Sequence, residues 1–532
     1  MATLIDLLSV LAVPWAGLSM VVLAFTVGGI VFLGALARPL TEILGATGRD
    51  IARRTRQILI LSALGLLLAA GGRILLEMYR LATASGLPLA DVWADLWAGS
   101  SVRAEGVLGS AAIMTMGIVG TRWDQRRPIL LSLVACVILG AAALSVQGGS
   151  WPGGNRWPLV ALAFVHGAAV SIWLGGLPYY LGALALSKDH VAGYRVSARF
   201  AALAGGAMLA TVISGVGLAY GHIESPGGLY QTAYGVMLLA KGLLFLVLVG
   251  LSCGAVLIIQ RLRRSPDAPM LVLRRLTEAA LGVGVTVFVA SAWLSLLPVA
   301  PQFPFTPDLK GGGAAAWDHW VEQVASTFPR LVAPDPTGET VSSDAATRAW
   351  SEVTHHWAGV LVMVMGLLAL LERWRPLLLV RHWPLLFLGL AAWVGIRADP
   401  ESWPLGTLGF WETMRDPGVA WHRLLILVLI GLGLVEWGGR IGLFASRTAL
   451  VFPILMATGG TLIFADPQAG GTLQRELLFE WTYSPIALLA VVGAWARWLE
   501  LRLSSPVGRL AGWLWPVAFV LIGLILLMDR EF

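Results

Sequence analysis

Phe164-Val165-His166-Gly167-Ala168-Ala169-Val170-Ser171-Ile172-Trp173-Leu174-Gly175-Gly176 decides how this chain is read. Apart from one histidine and the closing pair of glycines, the stretch is apolar or small. It lies within a run, residues 158–183, that exceeds the roughly 20 residues a helix needs to cross a bilayer. A histidine at such depth is costly, so it is kept for a task more often than an average polar residue.

The same kind of run recurs along the chain. Candidate spans fall at 16–37, 57–82, 104–121, 129–147, 158–183, 198–221, 233–260, 276–299, 353–372, 383–397, 419–437, 448–465, 481–497 and 510–528, the tenth being short. Hydrophobic residues make up 57% of the chain and charged residues only 13%, far from the balance of a soluble domain. The expected fold is an all-α polytopic transmembrane bundle of about fourteen spans. Residues 1–14 carry no Lys or Arg, so the first run reads as a span rather than a cleaved leader.

Arginine sets the expected orientation. Arg49, Arg53, Arg54 and Arg56 follow the first span, and Arg122, Arg126 and Arg127 the third. Lys188 and Arg195, then Arg261, Arg263, Arg264, Arg274 and Arg275, then Arg373, Arg375 and Arg381 continue the alternation, as do Arg440, Arg447, Arg497, Arg502 and Arg509. Every second loop is basic and should face the cytoplasm, which places both termini in the periplasm. The net charge of +6 is thereby accounted for by these loops and does not suggest nucleic acid.

The longest connection, residues 300–351, divides an eight-span region (1–299) from a six-span region (352–532). Trp317, Trp320, Val321, Val324 and Phe328 recur there at helical spacing, which predicts an amphipathic helix lying on the outer surface. Cys136 and Cys253 sit in apolar runs with no paired spacing, which argues against a disulfide framework and against a thiolate metal site. No Walker-type loop or dinucleotide fingerprint occurs, so the chain is not expected to be an enzyme.

With this topology six of the eight histidines lie on the outer side: His166, His222, His319, His355, His356 and His422. His166 falls ~12 Å below the outer boundary at 1.5 Å per residue. Neutral imidazole ligates copper, zinc and haem iron, and His166, His355, His356 and His422 are the candidate metal ligands. Histidines at helix ends also sit among headgroups with no further role, and that reading applies first to His222 and His319. Met363, on the stripe of His356 but two turns deeper, is a candidate soft station along a path. Arg73 and Glu77, four apart on one span, are placed to pair. Lys241, about eight residues into its span, should point into the bundle and find an acceptor, with Glu77 or carbonyls near Gly235 the expected partners.

Residues 155–265 resemble the copper resistance D (CopD) family of bacterial inner-membrane proteins. The resemblance rests on the His166–Gly176 element, Arg199-Phe200, Ser214-Gly215, Thr232-Ala233-Tyr234-Gly235 and Leu238-Leu239-Ala240-Lys241. His355-His356-Trp357-Ala358-Gly359, the stretch 398–406, Trp421-His422-Arg423 and the stretch 494–502 are similar to the extra helical region of longer members. The resemblance implies copper as cargo, residence in the inner membrane, and work beside a periplasmic copper chaperone. The chain departs from the family pattern at Gln147-Gly148-Gly149-Ser150, at Phe464-Ala465-Asp466-Pro467-Gln468, and at Tyr483 or Ser484, where histidines are expected. Those departures imply a reduced metal site. Two other readings therefore stand beside copper transport: a b-type haem electron-transfer protein, with two histidines on facing spans, and a non-catalytic membrane subunit of a larger complex.

Overall fold

The structure is a computed structural model and describes residues 12–88, 91–121, 127–147, 157–187, 189–223, 225–264, 270–297, 343–375, 377–399, 402–465 and 473–529. Among them there is no strand, and twelve helices are long and apolar enough to cross a bilayer. The expected surface helix around Trp317 and Trp320, with His319, lies outside the described residues.

The helices, in order, are α1 (Ala12–Phe32), α2 (Arg38–Leu44), α3 (Ala46–Ser85), α4 (Trp93–Ala98), α5 (Ser100–Gly120), α6 (Arg127–Gln147), α7 (Trp157–Trp173), α8 (Leu177–Leu186), α9 (His190–His222) and α10 (Gly228–Gln231). They continue as α11 (Ala233–Arg264), α12 (Met270–Leu294), α13 (Ser343–Trp374), α14 (Leu386–Arg397), α15 (Phe410–Thr413), α16 (Pro417–Arg440), α17 (Val451–Ile463), α18 (Leu473–Arg502) and α19 (Pro506–Leu527).

Two of the fourteen expected spans are shorter than the rest. α14 has 12 residues and α17 has 13, each too short alone for a hydrocarbon core of ~30 Å. Each is preceded by a 3-10 turn, Val380–Leu385 and Ser446–Leu450. The tighter winding rises ~2 Å per residue, so turn and helix laid end to end measure roughly 30 Å.

The helices group into two compact units. The N-terminal unit combines Ala12–Glu224 with Phe245–Leu296, and the C-terminal unit combines Ser225–Leu244 with Leu297–Phe532. Helix α11 thus gives its first turns to one unit and the remainder to the other.

In the N-terminal unit α1 packs against α3, α7 and α12, and α9 packs against α7. The run 158–183 is not one helix: α7 stops at Trp173, and a turn at Leu174–Gly176 leads into α8. The cause is a backbone contact. A Cβ on Gly175 would overlap the Ala24 carbonyl of α1, and one on Gly28 would overlap the backbone of Gly175. Tyr179 then fixes α8 on α1 by donating to the Phe25 carbonyl at 2.8 Å. Outward-facing apolar residues such as Leu61, Leu68, Ile129, Leu209 and Ile213 are more than half exposed, a surface suited to lipid contact.

In the C-terminal unit α19 packs along α13 and α18. Small residues allow this: a Cβ on Gly359 would lie 2.7 Å from Gly523 O, and one on Gly366 2.8 Å from Pro516 O. Trp383, Phe387, Phe452, Trp515 and Phe519 fill the interior with mutually packed rings 5.6–6.4 Å apart.

Candidate metal-handling sites

In the N-terminal unit, His166 on α7 meets Ser214 on α9, Nδ1 to Oγ at 3.1 Å. The Ser214 hydroxyl donates to the Ala210 carbonyl at 2.6 Å, so towards the imidazole it can only accept. The proton on this side of the ring therefore sits on Nδ1. Gly215 makes room for the ring, since a Cβ there would come within 3.2 Å of His166 Cε1.

Arg73 does not pair with Glu77. Its Nε lies 3.0 Å from Glu105 Oε1 on α5. Glu105 is only 7% exposed, and packing of α3 on α5 brings this more deeply buried carboxylate to the guanidinium. His222 ends α9 with Nδ1 on the carbonyl of its own helix at Leu218, 2.7 Å away.

In the C-terminal unit, the residue just beyond α19 gathers the paired histidines of α13. Asp529 Oδ2 accepts from His355 Nδ1 at 2.7 Å, its Oδ1 accepts from Thr482 at 2.8 Å, and its main-chain oxygen accepts from His356 Nε2 at 3.0 Å. The other ring nitrogen of His355 lies 3.1 Å from the Tyr483 hydroxyl. His356 is fully buried. Burial raises the Asp529 carboxyl, but the His355 hydrogen bond and charge, the Thr482 hydroxyl and the His356 charge outweigh it. They hold the group below the usual carboxylate range.

His422, near the start of α16, is held the same way. Its Nδ1 lies 3.1 Å from Asp399 Oδ1. Asp416 caps α16 through the amides of Gly418 and Val419, and Arg423 ties the preceding loop by donating to Gly395 O at 2.7 Å and Trp403 O at 2.5 Å. A carboxylate that fixes the tautomer and orientation of an imidazole is the usual second partner of a ligating histidine. Among the described residues no group of three or more His, Cys, Asp and Glu side chains is arranged to hold a metal ion.

Met363 starts from the close contact of α13 with α19, where a Cβ on Gly523 would lie 2.6 Å from the Met363 Cβ. Lys241 makes no hydrogen bond or ion pair among the described residues, neither with Glu77 nor with carbonyls near Gly235. One turn before it, Met237 is fully buried and receives the Ser484 hydroxyl at 3.6 Å. The single hydroxyl hydrogen of Ser484 is shared between this sulfur and the buried Glu480 carboxylate, the far stronger acceptor. Of the two positions where the sequence pattern left a histidine missing, Tyr483 faces His355 and Ser484 faces Met237. Asp529 belongs to no motif; its one signal is that it is the first charged residue after an apolar run. Asp466-Pro467-Gln468 and Gly148-Gly149-Ser150, other points of departure, lie outside the described residues.

Fold and sites together define a multi-pass helical membrane protein with histidines pinned by carboxylates and hydroxyls. Residues 194–294, from α9 to α12, match the family model described as Copper resistance protein D. Copper transport protein CutJ of Bacillus subtilis (strain 168) is 28% identical over 148 residues, which is 27% of this chain and 26% of that protein. The alignment thus spans about a quarter of that relative's length. No solved structure matches the chain.

Proposed function

We propose that the protein carries copper across, or takes it up at, the bacterial inner membrane, with copper as cargo and with no ATPase or other enzymatic activity of its own. The observation that carries this reading is the CopD match over 194–294, a stretch that contains Ser214, the residue that orients His166. The likeness to a copper transport protein supports the same cargo. On this reading His166 is a ligand within the N-terminal unit. His355, His356 and His422 are ligands or their neighbours in the C-terminal unit, and Lys241 sets the charge along the path.

The alternating arginine loops support a topology of fourteen spans with both termini periplasmic, counting α14 and α17 with their 3-10 turns. His355, His356 and His422 then open on the periplasmic side, where a copper chaperone or a larger membrane complex would deliver or receive the ion. The saturated hydrogen bonding of His355 favours a second role for that cluster, as a structural lock joining α13, α18 and α19.

Copper accumulation in cells expressing the wild type or His166→Gln, normalised to folded protein, tests the reading. A loss of accumulation in the variant is expected. Equal accumulation in the variant and wild type would remove His166 from the path, and no accumulation above the empty membrane by the wild type would overturn the function.

A further inference from the structure

The N-terminal unit carries a half-open cavity of about 340 Å³ bounded by α7, α8, α9, α12 and the later turns of α11, open on the side of Gly205, Cys253 and Leu257. Its lining contains no Asp, Glu, Lys, Arg or His. Trp173, Tyr180 and Phe200 supply flat walls; the last two stack with centroids 4.4 Å apart, and Trp173 meets Phe245 edge-on at 5.7 Å. Ala204, Gly205 and Ala255 leave the space between them open, and a Cβ on Gly205 would touch nothing within 4 Å.

The polar groups on this lining differ in how they are used. Tyr180 donates to Ser197 at 2.8 Å, and Thr277 donates to the Leu273 carbonyl at 2.9 Å. Trp173 is 4% exposed, yet its indole N–H makes no hydrogen bond among the described residues. Ser252, on the α11 wall, likewise makes none. An indole N–H is a donor only, and leaving it bare in an apolar interior costs free energy. Trp173 lies near the middle of the 157–186 segment, some 20 Å from either end by helix rise, so lipid headgroups cannot reach it.

We propose that this cavity binds a flat, uncharged, membrane-dissolved carbonyl compound, the chemistry of a quinone, with a ring oxygen accepting from Trp173. The absence of charge on the lining excludes an ionic headgroup. The aromatic walls fit a planar ring, and the unused donors call for an acceptor that a plain acyl chain does not carry. The volume and the mix of apolar walls with a few polar groups are those of a small-molecule site.

Full-length protein in lipid nanodiscs tests the proposal with two probes: decylubiquinone, and n-decylbenzene, which has a ring and the same tail but no carbonyl. Decylubiquinone should bind saturably at one site per chain. Trp173→Phe keeps the ring and removes the donor, and should weaken decylubiquinone about tenfold, the worth of roughly one hydrogen bond. It should leave decylbenzene unchanged. Gly205→Leu should abolish binding of both by filling the cavity, with Ala255→Leu as the equivalent change from the opposite wall if Gly205→Leu does not fold. Equal affinity for the two probes with no effect of Trp173→Phe would make the space an acyl-chain cleft and overturn the proposal, as would the lack of any saturable binding by the wild type. None of these readouts involves copper.

Discussion

Arg497 donates to Glu436 Oε1 at 2.9 Å, and this contact closes a loop of charge across the C-terminal unit. Glu436 also takes Arg440 at 2.8 Å, Arg440 reaches Glu372, Arg497 holds Glu500 at 2.7 Å, and Glu500 returns to Arg373, the chain neighbour of Glu372. Three arginines and three glutamates alternate without net charge over α13, α16 and α18. Two indoles complete the carboxylates: Trp383 donates to Glu372 and Trp515 to Glu500. The same rings lie under the guanidiniums, Arg440 over Trp383 at 5.0 Å and Arg497 over Trp515 at 5.1 Å. Gly512 leaves space for the closure, since a Cβ there would lie 2.6 Å from Arg373 Nη1. The loop therefore roofs the aromatic interior of the unit.

Breaking one member should cost far more than a surface ion pair. Glu436 is 3% exposed, so Arg497→Met leaves a buried carboxylate with Arg440 alone and deprives Glu500 of one partner. The expected loss is about 3–5 kcal/mol, the cost of stranding a buried charge. Thermal unfolding of Arg497→Met in nanodiscs measures it, and Arg497→Met with Glu436→Gln should recover part of the loss. A melting curve for the single variant that superimposes on wild type would show that the loop does not contribute.

Asp529 sets an acid limit on the C-terminal unit. Its folded carboxyl lies below the ordinary range, so its contribution is complete above the unfolded value of ~4 and is lost as pH falls through the folded value. Asp529→Asn should lower stability at neutral pH and flatten its fall below pH ~4. Unfolding temperatures from pH 3 to 8 report this. Parallel pH profiles for variant and wild type would mean that His355, His356 and Thr482 draw nothing from this carboxylate.

Much of the fold is legible in the sequence because a span needs only about 20 apolar residues, a property of local composition. The runs that became α1, α3, α5, α7, α9 and α11–α13 are of this kind. Where the structure adds to that reading, the cause is non-local. The break at Gly175 has a local signal in Gly175-Gly176 and Pro178, but the close approach it serves, to the backbone of Gly28 and Ala24, is more than 140 residues away in the chain. Arg73 had a suitable local partner in Glu77, yet helix packing supplied Glu105. His166 stood out because imidazole is costly at depth, but its tautomer follows only from the Ser214 hydroxyl being committed to Ala210. Asp529 could not be read as the partner of His355, because 174 residues separate them.

Ser214 should matter to copper handling through His166. Ser214→Ala removes the acceptor that holds the proton on Nδ1, leaving the ring free to turn and to exchange tautomers. Loss of such a partner typically weakens a metal ligand 10–100-fold. Copper accumulation in Ser214→Ala should fall between wild type and His166→Gln, and Ser214→Thr, which keeps the hydroxyl, should restore most of it. Accumulation at the His166→Gln level in Ser214→Thr would point to packing rather than orientation.

Lys241 separates a functional charge from an architectural one. Its ammonium makes no hydrogen bond or ion pair among the described residues, while its helix neighbours Met237 and Leu244 are fully buried. A cation in apolar surroundings without a partner destabilises the fold, so Lys241→Met, close in length and apolar, should leave thermal stability unchanged or raise it. If the charge tunes the copper path, the same variant should lose accumulation per folded molecule, and Lys241→Arg should keep part of it. The two measurements give opposite signs for the two roles: lower stability with normal accumulation marks an architectural lysine, and equal or higher stability with lost accumulation marks a lysine retained for transport. The second outcome is expected.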